Sequence, residues 1–94
     1  MRVRWTTPAL RDLENIQDSI AEHDPRAAFD LSERLWVQVN VQLAQYPESG
    51  RAGRVNGTRE LVISGAPYIV AYRITDIVAV LAIQHTAMRW PDAF

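Results

Sequence analysis

Histidine and arginine carry most of the chemistry that this sequence offers. His85 ends an apolar run that begins at Ile77. An imidazole in that setting can act as a general acid or base near neutral pH. Arg59, Arg73 and Arg89 are cations that could hold a phosphate. Each has a plainer reading too. His85 could cap its strand and bond the Arg89-Trp90 tail. Arg59 could pair with a surface acid, which is worth at most about 1 kcal/mol.

A second group points to binding. Arg51 and Arg54 stand beside Gly50 and Gly53. A glycine-rich loop with arginines can cradle phosphate. Here it has no Walker lysine and no following helix, and a turn needs glycine in any case. Trp36 and Trp90 could anchor a protein partner, or could sit at the rim of the core. His23 and His85 are far apart and lack carboxylates at ligand spacing, so no metal site is expected. With no Ser/His/Asp arrangement, no cofactor or small-molecule substrate is expected either.

The chain has 94 residues and no cysteine. That length predicts one domain spanning 1–94, and the missing thiols exclude disulfides, thiolate metal sites and a cysteine nucleophile. Hydrophobic content is 48%, which excludes a disordered chain. The apolar run from Ile77 to Ile83 is too short to cross a bilayer, and no leader pattern opens the chain. A cytoplasmic location fits. Net charge is −1, yet the charges are segregated. Residues 11–34 hold seven acids and three arginines, whereas residues 51–73 hold four arginines and one acid, Glu60. The second half therefore offers a modestly basic face to an anionic partner.

These groups need elements to position them. Val3 and Trp5 alternate with Arg2 and Arg4, as in a short strand. Thr6 or Thr7 then caps a helix with Pro8 in its first turn. Leu10, Leu13, Ile16, Gln17 and Ile20 form its inward stripe. Asp24-Pro25 ends one helix and starts the next, whose inward residues are Ala28, Leu31, Leu35, Val39, Leu43 and Tyr46. Residues 51–58 read as a loop. Three strands follow, at 59–63, 67–74 and 77–85, the last of them central. Arg59 and Glu60 must point to opposite faces. The order β-α-α-β-β-β predicts an α+β fold, with a helical hairpin on one face of a small, mainly antiparallel sheet.

Several stretches in this order resemble the ParE/RelE toxins of type II toxin–antitoxin systems. They are Asp24-Pro25-Arg26-Ala27-Ala28, Pro47-Glu48-Ser49-Gly50-Arg51, Gly57-Thr58-Arg59-Glu60-Leu61, Pro67-Tyr68-Ile69-Val70-Ala71-Tyr72-Arg73, His85 and Arg89-Trp90-Pro91. The resemblance implies a toxin neutralised by a cognate antitoxin. It also implies one of two targets: DNA gyrase, as for ParE-like members, or messenger RNA in the ribosome, as for RelE-like members. RelE-like nucleases usually carry an arginine in the middle strand. Here that strand opens Pro67-Tyr68-Ile69, and its only cation is Arg73 at the far end. The ParE-like reading, a gyrase inhibitor with no chemistry of its own, is therefore favoured. A RelE-like, metal-independent endoribonuclease is the alternative; the resemblance then implies that Arg59, Arg73 and Arg89 hold phosphate while His85 acts as acid or base on the 2′-hydroxyl or the leaving oxygen. An inactive homologue that only binds its antitoxin is the third.

Overall fold

The computed structural model describes residues 1–94. The elements are β1 (Val3–Trp5), α1 (Thr7–Ala21), α2 (Pro25–Gln45), β2 (Arg51–Ala52), β3 (Arg59–Val62), β4 (Tyr68–Ile74) and β5 (Val78–His85). They form one five-stranded sheet in the order β1-β5-β4-β3-β2. β1 runs parallel to β5, and the other pairs are antiparallel. No helix is long and apolar enough to cross a membrane.

Thr6 makes the joint between strand and helix. Its side chain accepts the Ala9 N–H and its hydroxyl donates to the Val80 carbonyl at 2.7 Å. One residue thus caps α1 and ties it to β5. β1 ends at Trp5, so the edge of β5 beyond it needs other partners. Asp12 of α1 supplies one by accepting the Ile83 N–H at 2.9 Å. At the second helix Asp24 accepts the Ala27 N–H, with Pro25 at the first helical position. Ala28, Leu35, Val39 and Leu43 form its buried face.

Side chains alternate between the two faces of the sheet. Leu61, Val70, Tyr72, Val80 and Ile83 join Ala9, Leu35, Val39 and Leu43 in the core. The register puts Glu60, Ala71 and Ala82 in one row on the opposite face, and Arg4, Ala79 and Arg73 in another. This helix-free face is called the outer face below.

Three details differ from the sequence reading. Residues 51–58 are not wholly loop: Arg51 and Ala52 pair with Glu60 and Arg59 as β2. Two residues are too few to show an alternation. Tyr46 is 65% exposed because it lies at the C-cap, where φ is −131° and the helical stripe no longer applies. Leu10 is 44% exposed, and the neighbouring Ala9 takes the contact with the core. A small residue there lets α1 approach the sheet closely.

Candidate functional site

The arginines of the 51–58 hairpin converge on one carboxylate. Glu60 is 1% exposed. Its Oε1 accepts from Arg51 Nε at 3.2 Å and Nη2 at 3.0 Å. Its Oε2 accepts the Arg54 N–H at 2.7 Å, with Arg54 Nε 3.8 Å away. A buried carboxylate needs this many donors to offset its lost hydration. The guanidinium of Arg54 also lies 4.4 Å from the centre of the Trp90 ring, and Trp90 packs edge-on against Phe94. The tail is thereby folded back over the outer face. Arg51, Arg54 and Trp90 are brought together, and Glu60 is the residue that gathers them.

Arg59 points the other way. Its Nη1 donates to the carbonyls of Glu48 and Gly50 at 3.2 and 2.9 Å, which fixes the chain leaving α2. The buried Tyr72 completes this junction by donating to the Pro47 carbonyl at 2.7 Å and accepting the Gly50 N–H at 2.8 Å. A Cβ on Gly50 would meet the Tyr72 hydroxyl at 2.5 Å and the Glu60 carbonyl at 2.8 Å, so only glycine fits. Burial raises the Tyr72 phenol above its ordinary 10.0; the Gly50 N–H and the Arg59 charge pull it down, and Glu48 pushes it up.

His85 accepts the Ala87 N–H on Nδ1 at 3.0 Å, and its ring meets Tyr68 edge-on at 5.3 Å. It caps the strand end, though it bonds Ala87 rather than Arg89 or Trp90. Arg73 opens on the outer face, beside Ala79. Arg89 is exposed in the tail. Trp36 is 43% exposed and stacks on Trp5 with centroids 4.8 Å apart. Trp5 in turn donates to Asn40. Trp36 therefore sits at the rim of the core and still presents a face to solvent.

The sequence reading passed over Asp12 and Gln38. Asp12 follows Ala9 by three residues and precedes Ile16 by four, the spacing that marks an inward position. Burial raises its carboxyl above 3.8, and the Ile83 N–H opposes that rise. Gln38 donates to the Val62 carbonyl and accepts the Ser64 N–H, at 3.3 and 3.1 Å. No local pattern announces such a contact.

A helical hairpin on a five-stranded sheet, with an arginine-rich hairpin latched to the tail, defines a small α+β domain built around a two-faced sheet. The family model for the ParE toxin of the type II toxin–antitoxin system parDE matches residues 3–90. The chain belongs to the ParE toxin family. It is 46% identical to the Sinorhizobium fredii protein Y4kP over 91 residues, covering 97% of this chain and 94% of that one. It is 39% identical to the toxin RelE2 of Caulobacter vibrioides over 87 residues, covering 92% and 96%. Among solved structures it superposes on a chain of the chromosomal ParDE system of P. aeruginosa with TM-score 0.84 and 27% identity, covering 90% and 95%. It also superposes on a chain of the toxin–antitoxin complex RelBE2 of Mycobacterium tuberculosis with TM-score 0.60 and 28% identity, covering 89% and 95%.

Proposed function

We propose that this ParE-family toxin arrests growth by binding DNA gyrase and trapping its cleaved-DNA state, and that a cognate antitoxin neutralises it. The dispersal of the cations and the imidazole carries the choice of target. His85 pairs with Tyr68 at one end of β4, whereas Arg73 lies five residues along the same strand. That separation is roughly 17 Å at the usual strand rise. Arg59 faces the helix side and is held by two carbonyls. One phosphate cannot meet all of them, so the arrangement favours action by binding over RNA cleavage. The family match and the ParDE neighbour support the same reading.

The antitoxin reading draws on the ParDE and RelBE2 neighbours, which come from toxin–antitoxin systems. α2 presents Val37 and Val41 to solvent, 51% and 52% exposed. An amphipathic helix of an antitoxin would cover such a stripe.

Purified toxin is to be mixed with gyrase, supercoiled plasmid and ATP, and the products treated with detergent and protease. Linear DNA that disappears when antitoxin is added is the expected result. Intact plasmid with folded toxin, together with cut messenger RNA on ribosomes, would overturn the gyrase reading in favour of the nuclease.

A further inference from the structure

We propose that the outer face of the sheet binds the phosphodiester backbone of duplex DNA through Arg4 and Arg73, with Arg2 beside them. The register sets this pair. Arg4 of β1 and Arg73 of β4 both pair with Ala79 of the strand between them, so all three side chains share one face. Their Cα atoms lie two strand spacings apart, about 10 Å. The residue between is alanine, which leaves a shallow floor and lets a backbone approach both guanidinium groups. Arg2 shares this face by alternation and is exposed, as is Arg4.

None of these three arginines lies within salt-bridge distance of a carboxylate. The ion pairs of the protein involve Arg26, Arg51 and Arg54. In the adjacent row Arg51 and Arg54 share the single charge of Glu60, so that row also keeps a positive excess. Asp76 in the β4–β5 turn and Asp92 in the tail are the acids at its margins. The remaining acids are concentrated in the helical hairpin on the opposite side. The molecule is therefore a charge dipole that would approach a polyanion sheet-first.

The aromatic side chains of this face argue for a duplex. Single-stranded nucleic acids are held by bases stacked on free aromatic rings. Here Trp90 is occupied by Arg54 and Phe94. The side chains of the arginine row are cationic and read backbone alone. The choice of DNA over RNA rests on the gyrase reading; the arginine row itself does not.

Fluorescence anisotropy of a labelled 20-base-pair DNA duplex, titrated with the toxin at 50–200 mM salt, tests this. Single-stranded DNA and single-stranded RNA of the same length are the other arms. The variant is R4Q/R73Q, with R26Q/R34Q on α2 as control, and circular dichroism reports folding of each. The duplex is expected to bind best, with affinity falling linearly in log salt. R4Q/R73Q should bind about tenfold or more weakly at low salt, with a slope shallower by about 2. The control should bind like wild type. Equal binding by R4Q/R73Q, tighter binding of either single strand, or no binding at 50 mM salt would each overturn the proposal. Should R4Q/R73Q misfold, R4Q and R73Q alone are each expected to lower the slope by about 1. No gyrase is present, so failure here and failure of the linearisation assay are separate results.

Discussion

Glu60 is the side chain on which the outer face depends most. Replacing it with alanine removes the acceptor for the Arg54 N–H and both Arg51 bonds. Glu60→Ala is expected to lower stability by about 2–3 kcal/mol, and Glu60→Gln by less because its carbonyl still accepts the Arg54 N–H. Urea unfolding checks this: the midpoint should fall in that order with an unchanged slope. Asp12 behaves oppositely. Its carboxyl is raised in the fold, so its contribution is fully present below the ordinary value of 3.8 and is lost as pH rises through the folded value. Asp12→Asn keeps an acceptor for Ile83 without the charge. Its stability relative to wild type should improve between pH 3.5 and 7, as measured by thermal melts across that range; a constant difference would refute the assignment. Both residues were partly legible beforehand. Glu60 is the only acid between Arg51 and Arg73, and Asp12 falls at an inward spacing. Their partners were not legible, because Ile83 is 71 residues from Asp12 and no local period encodes so remote a pair.

Among the elements, β3 has an edge that β2 leaves open. β2 pairs only with Arg59 and Glu60. Beyond it, the Gln38 amide bonds the Val62 carbonyl and the Ser64 N–H, the two groups that another strand would engage. An uncovered edge invites pairing with a second chain. Gln38→Ala should cost about 0.5–1.5 kcal/mol and expose that edge. Hydrogen exchange at the Ser64 amide should quicken at least tenfold, and sedimentation should show concentration-dependent association. Unchanged exchange would mean that α2 does not close the edge. The helices and the long strands were readable because their periods run for several turns or pairs. β2 was not, since its two residues are held by a glycine junction and by pairing with a later strand.

At the scale of the whole molecule, the two faces have separate tasks. The sheet side carries the row of Arg2, Arg4 and Arg73, and the helix side carries most of the acids and the exposed valines of α2. A domain of this size has a small core of its own, so a partner that covers the α2 stripe adds stability in proportion to its affinity. The antitoxin proposed above would do this without touching the arginine row. Val37 and Val41 are each half exposed, so changing both to glutamate should leave the free toxin folded with a Tm within a few degrees of wild type. The same variant should lose the rise in Tm that antitoxin produces, because each glutamate must be desolvated in the bound state. R4Q/R73Q should keep that rise in full. If antitoxin stabilises V37E/V41E as well as it stabilises wild type, the stripe is not its seat. If R4Q/R73Q alone loses the effect, the antitoxin occupies the sheet face and competes there directly with the phosphodiester backbone.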